Sequence, residues 1–342
     1  MKLHKNLILA GLSSVMMFAC SPESPKLQVK EVFREDQVSE KPKDYEVFTP
    51  KVDILFVIDS SGSMEDEQNK LSQNAREFAN AISKVGFLDF HIGVITTDMQ
   101  YDHCATECGR LKGRDVYYTK STPNFVRELS NTLMVGTRGS GTEVMFAPVQ
   151  AALSPPLVNG ENAGFYRQDA YLAVIFLTDA GEQSRISPTD FYNSLVTLKG
   201  DARKVLSYGV IRKYLERYVC TASAEDSQIT RILEDFLEMT INGGKAQPNV
   251  LSLCSADYGA QLAEFAKDIV MRSSGKVKLA SLPLDGTIVV RYGTQVIPNS
   301  LTSGWTYERS SNSIFLSDGI IWEDQGAGVG LTVDYKSMDT AR

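Results

Sequence analysis

Largely apolar runs over residues 52–58, 171–177 and 205–211 do most to restrict what this chain can become. A run without polar alternation cannot turn one face to water, so each reads as a strand buried on both faces, as in parallel sheets. After the first run, Leu71, Ala75, Phe78 and Ile82 recur at steps of four, three and four, which places them on one stripe of an amphipathic helix. Residues 87–96 supply another strand. Helices are expected over 124–133, 144–153 and 188–198, and on the stripes Ile229, Leu233, Phe236, Thr240 and Tyr258, Leu262, Phe265, Ile269, with a last edge strand over 250–253. Strands alternating with helices pair in parallel through right-handed crossovers. The expected class is α/β: a doubly wound, mostly parallel sheet flanked by helices. From about residue 275 the pattern changes to short β-prone runs (277–282, 287–292, 294–297, 305–308, 313–316 and 329–335) separated by Gly, Asn, Pro, Ser and Asp. That spacing predicts a small all-β, sandwich-like domain over 275–342. Trp305 and Tyr307 in it read as core residues, with a binding patch as the other possibility.

Ligands of such sheets gather where strands end. The first run ends in Asp59-x-Ser61-x-Ser63. Gly62 is expected to let this loop bend so that both hydroxyls turn toward one point with the Asp59 carboxylate behind them. A small hard cation suits that point, because magnesium takes oxygen donors, keeps some waters, and accepts carboxylates through them. The run over 171–177 leads into Thr178-Asp179-Ala180-Gly181-Glu182, a second carboxylate at a second strand end. The loop Gly139-Ser140-Gly141-Thr142-Glu143 offers one more hydroxyl.

These three pieces, in this order, resemble the von Willebrand factor A domain family, whose metal-ion-dependent adhesion site is written D-x-S-x-S, then Thr, then Asp. The resemblance implies such a domain over 49–274, with Ser61, Ser63 and Thr142 as direct or near-direct ligands of Mg2+ or Mn2+. Asp59 and Asp179 then stand behind them. Glu182 shares the loop and is not counted as a ligand. The implied function is capture of an acidic group on a protein partner, in adhesion or assembly at the cell envelope, without catalysis. One alternative is an envelope scaffold whose metal only stabilises the fold. The other is a magnesium-dependent hydrolase, superficially similar to haloacid-dehalogenase-like phosphatases. Those need a second acid two residues after the nucleophilic Asp, where this chain has Ser61, and no His stands beside a motif Ser, since His91 belongs to a strand and His103 to a cysteine loop.

A formal charge of −7 disfavours nucleic acid as a partner. Lys2 and Lys5 followed by the apolar residues 7–19 form a targeting segment too short to span a membrane. Its end, Met17-Phe18-Ala19-Cys20-Ser21, resembles a bacterial lipoprotein signal, although Met17 and Phe18 depart from the usual Leu and small residue. The resemblance implies removal of residues 1–19, a lipid on Cys20 and attachment to the outer membrane. An ordinary signal peptide with an incidental Cys is the alternative. Residues 20–48, charged and proline-bearing, read as a tether. The four remaining cysteines are expected to pair as Cys104 with Cys108 and Cys220 with Cys254. A zinc site of His103, Cys104 and Cys108 is the competing reading; it lacks a fourth ligand.

Overall fold

The structure, a computed structural model, describes residues 46–216, 229–240, 249–255, 258–317, 319–326 and 329–338. The expected signal segment, lipidation site and nearly all of the tether lie outside these residues, as does Cys220. In chain order the first elements are β1 (Glu46–Phe48), β2 (Lys51–Ile58), α1 (Glu65–Ser83), β3 (Asp89–Thr96), α2 (Phe125–Thr132), α3 (Phe146–Ala152), β4 (Tyr171–Thr178), α4 (Pro188–Lys199), β5 (Val205–Ile211), α5 (Ile229–Met239), β6 (Val250–Ser252) and α6 (Tyr258–Ser274).

Five strands form one parallel sheet in the order β3-β2-β4-β5-β6. The apolar runs behave as their lack of alternation demands: residues 52–58, 172–178 and 205–211 are all buried. Successive side chains point to opposite faces of a strand. Along β2, accordingly, Ile54, Phe56 and Ile58 join the core under α1, α2 and α6, while Leu55 and Val57 join the one under α3, α4 and α5. Helices thus cover both faces, and the sheet is doubly wound. Every residue of the predicted α1 stripe is buried. Glu65, Asp66 and Glu67 in its first turn complement the positive end of the helix dipole.

The C-terminal strands are β7 (Lys276–Lys278), β8 (Val289–Tyr292), β9 (Gln295–Ile297), β10 (Trp305–Glu308), β11 (Ser313–Leu316) and β12 (Leu331–Asp334). They build two small antiparallel sheets, β10-β11-β7 and β1-β12-β8-β9. Residue 275 therefore marks a change of architecture but not a gap in the core. Val277, Val290, Tyr292, Ile314 and Val333 are buried in the same apolar cluster as α1 and α6, and the described residues form one compact unit. Residues 46–48, read from sequence as the end of a tether, instead pair as β1 with β12. Three residues are too few to show a period. Trp305 is buried and donates its indole N–H to the Ile297 carbonyl at 2.9 Å, a core residue. Gly86 lets Tyr292 lie against the backbone, and the Tyr292 ring packs on Phe87 and Trp322 at centroid distances of 5.6 and 5.7 Å.

At the amino end of the sheet, Asp53 is fully buried and gripped by one residue. Arg167 donates its backbone N–H to Oδ2 at 2.7 Å and Nε to Oδ1 at 2.8 Å, and its Nη1 lies 2.7 Å from Asp89 Oδ2. Burial holds the Asp53 pKa up at about 6, against the opposing pull of Arg167. His91 lies on β3 nearby, stacked on Tyr117 at 4.2 Å with Nδ1 2.9 Å from the Phe165 carbonyl.

Candidate metal centre

The candidate centre arises because β2 and β4 are neighbours in register, with Ile58 opposite Leu177. Both motifs therefore emerge side by side at the carboxyl edge, joined by Asp59 N–H donating to the Leu177 carbonyl at 2.9 Å. The Asp59 carboxylate is fully buried. Its Oδ1 accepts the Ser61 N–H at 2.8 Å and its Oδ2 accepts the Thr178 hydroxyl at 2.7 Å. Ser61 and Ser63 bring their Oγ atoms to 3.1 Å, and the Ser63 hydroxyl donates to Asp179 Oδ1 at 3.1 Å. Asp59, Ser61, Ser63 and Asp179 thus form one linked group. Gly62 is not needed for a left-handed turn: it opens a short 3-10 turn, and a Cβ there would meet open space.

Thr142 is presented differently. Its loop is pinned at the base, where Gly139 N–H donates to the Ser60 carbonyl at 2.9 Å; a Cβ on Gly139 would collide with the Ser60 side chain. Ser140 N–H donates to Asp98 Oδ2 at 3.1 Å, and Thr142 N–H to Ser140 Oγ at 3.0 Å. Thr142 itself is exposed. Among the described residues no hydrogen bond joins its hydroxyl to the other four. The neighbouring Glu143 is buried, and its pKa is pushed up to about 7 by that burial and then by the charges of Asp59 and Asp179. Asp59 is raised as well, first by burial, against its bonds from Ser61 and Thr178 and with Asp179 adding to the rise. The charges acting on Asp59 and Glu143 are those of neighbouring carboxylates.

Several supports are invisible to motif reading. Gln68, one helical turn into α1, donates to the carbonyls of Asp59 and Gly136 at 2.8 and 2.9 Å and accepts the Gly136 N–H at 3.0 Å. Glu182 is buried and accepts the N–H groups of Met145 and Phe146 at 2.6 and 3.0 Å, so its carboxylate clamps the start of α3. Asp98, at the end of β3, accepts from Gln100 N–H, Ser140 N–H and the His103 ring. Burial acts upward on its pKa, yet these bonds bring it below the usual carboxylate range, and the bond to Asp98 raises that of His103. The only sequence signal for Asp98 is its place two residues beyond β3.

Cys104 and Cys108 form a disulfide with Cα atoms 4.9 Å apart. Neither sulfur is a thiolate, which removes the zinc reading with His103, whose Nδ1 lies 2.6 Å from Asp98 Oδ2. Cys254 is also disulfide-bonded. Among the described residues no group of three or more His, Cys, Asp or Glu side chains is placed to hold a metal; the cluster at β2 and β4 joins two hydroxyls to two carboxylates.

No family model matches the chain, and no curated protein matches it. Solved structures similar to it include the pilus adhesin SpaC from Lactobacillus rhamnosus GG in its open conformation, with 11% identity and a TM-score of 0.44, covering 85% of this chain and 39% of that one. Proximal thread matrix protein 1 from the mussel byssus has 14% identity and a TM-score of 0.39, covering 70% and 51%. A von Willebrand factor type A structure from Catenulispora acidiphila has 15% identity and a TM-score of 0.36, covering 84% and 59%. The chain spans between 39% and 59% of the length of these structures. Its α/β class rests on the strand order and on the two helix-covered faces of the sheet.

Proposed function

We infer that this chain is a binding protein of the von Willebrand factor A type, which captures an acidic group of a protein partner at a divalent cation held by the β2 and β4 strand ends. The observation that carries this reading is the linked set Asp59, Ser61, Ser63 and Asp179. Its donors fit a small hard cation: oxygens sharing an edge of a magnesium octahedron are about 2.9 Å apart, and Ser61 Oγ and Ser63 Oγ are at 3.1 Å. Ser61, Ser63 and Thr142 would hold Mg2+ or Mn2+, with Asp59 and Asp179 bonded behind them. The ion would supply positive charge among buried carboxylates and an attraction for one more from outside.

The way the residues are used supports a non-catalytic role. Both Asp59 oxygens are engaged by hydrogen bonds, which leaves this carboxylate positioned as a support and poorly placed to attack a phosphate. Neither candidate histidine serves the serines: His91 is at the other end of β3, and His103 is turned to Asp98. Attachment to the outer membrane through Cys20 belongs to the same proposal, and places capture at the cell envelope.

Calorimetry on the full chain tests the ligand assignment. Wild type is expected to take up one Mg2+ or Mn2+, and a Ser61→Ala/Ser63→Ala variant none. The variant should stay folded, because the Ser61 backbone N–H that holds Asp59 at 2.8 Å and the Thr178 hydroxyl bond are both kept. Equal metal uptake by both proteins would refute the assignment. A pull-down with and without chelator separates capture from scaffolding: loss of partner without unfolding supports a bridging metal, and retention supports the scaffold.

A further inference from the structure

A cleft of about 550 Å³ opens between the carboxyl end of α1, the last turns of α6 and the chain after β11. Since α1 starts beside the metal centre and is 19 residues long, the cleft lies about 28 Å from it along the helix. We propose that this cleft is a second binding site, for a single-chain fatty acid. Its volume is that of a small-molecule pocket, about 300–1,000 Å³.

The lining sets the chemistry of the occupant. Val85, Val270, Met271, Ile320 and Trp322 supply an apolar wall. The two hydroxyls among the lining residues are already used, Ser274 donating to the Val270 carbonyl and Ser317 to that of Thr302. A peptide would find little to bond its backbone groups; an alkyl chain needs no such bonds. Ile321 stands at the lip 87% exposed and Met271 is 46% exposed, so an alkyl chain would cover apolar surface now in water. Met271 is also unbranched and adapts to irregular shapes.

Charge selects the head group. Glu264 is paired with Lys267 at 2.5 Å, and Asp268 with Arg272 and the Tyr208 hydroxyl, both at 2.7 Å. Lys84 has no acidic partner among the described residues and lines the same cleft. One uncommitted ammonium beside an apolar wall matches one carboxylate on an alkyl chain.

Sodium dodecanoate below its micellar concentration is the probe, titrated into the full chain by calorimetry and by tryptophan emission. The chain has two tryptophans, and Trp305 is only 6% exposed, so the emission change is expected to vanish in Trp322→Phe while the heat of binding remains. One-site saturation is expected. Ile321→Asp should weaken it about tenfold or more, and Lys84→Gln about fivefold. Both positions are exposed, so neither change threatens the fold. Several outcomes would overturn the site: no saturable uptake, wild-type affinity in both variants, equal affinity for 1-dodecanol, or adsorption to phosphatidylglycerol vesicles without uptake of monomeric dodecanoate.

Discussion

An Arg167→Met protein is expected to lose about 3–5 kcal/mol of stability at pH 7 and about 1.4 kcal/mol less than that at pH 4, because only the wild type gains from ionising a carboxyl whose pKa lies about one unit below pH 7. Asp53 is 0% exposed, and Arg167 is the ion-pair partner that bonds it directly. Even so paired, burial raises its pKa from 3.8 to about 6. A carboxyl with a raised folded-state pKa contributes stability that is fully present below 3.8 and lost as pH rises through about 6. The substitution removes the guanidinium charge and its side-chain hydrogen bond, leaves the residue-167 backbone N–H and the Lys199 charge in place, and moves this pKa higher still. Below pH 4 the carboxyl is neutral in both proteins, and the deficit shrinks to lost packing and hydrogen bonds. Urea unfolding of both proteins at the two pH values measures this. A deficit equal at both would mean that the cost resides elsewhere, for instance in the Arg167 bonds to the Val52 and Asp89 carbonyls. Loss of the Asp89 pair itself adds little, since Asp89 is 41% exposed.

Gly86→Ala is expected to cost about 3 kcal/mol, at the upper end of overpacking penalties. A Cβ at this position would fall on the Tyr292 hydroxyl and only 2.6 Å from Cζ. The ring has nowhere simple to go, being buried between Phe87 and Trp322. Its hydroxyl has no hydrogen-bond partner, so Tyr292→Phe alone should be close to neutral. In the Gly86→Ala background the same change removes the worst clash and should recover at least about 1 kcal/mol, a coupling read by a double-mutant cycle. Additive effects of the two substitutions would show that Gly86 and Tyr292 do not touch in solution.

Gly86 also illustrates what was legible in the sequence. Strands β2, β4 and β5 could be read because burial on both faces leaves almost no polar residue to break the run, and α1 because its stripe of four residues repeats over about three turns. The linked residues Asp59, Ser61, Ser63 and Asp179 were legible because they sit directly at the ends of such strands. Asp98 and Gln68 were not. Each supports the candidate centre through backbone groups distant in sequence, Asp98 through Ser140 and Gln68 through Gly136, and a motif records side-chain types but not which amide a carboxylate or amide will meet. The β-prone runs after residue 275 announced strands, yet their shared core with α1 and α6 depends on contacts such as that of Tyr292 with residues 86 and 87, which no local pattern encodes. The exposure of Thr142 was equally hidden, since a Gly-rich loop does not state which way its hydroxyl faces.

The position of β2 has a mechanical consequence. A pull applied through the chain preceding Glu46 and resisted at Ser61 and Ser63 travels along this one strand. β2 is flanked by β3 from Lys51 to Ile58 and by β4 from Val52 to Ile58, both running in its own direction. Tension on that line loads two ladders of hydrogen bonds in shear, all at once, while the short β1 ladder with β12 stands first in the path as a part that can yield early.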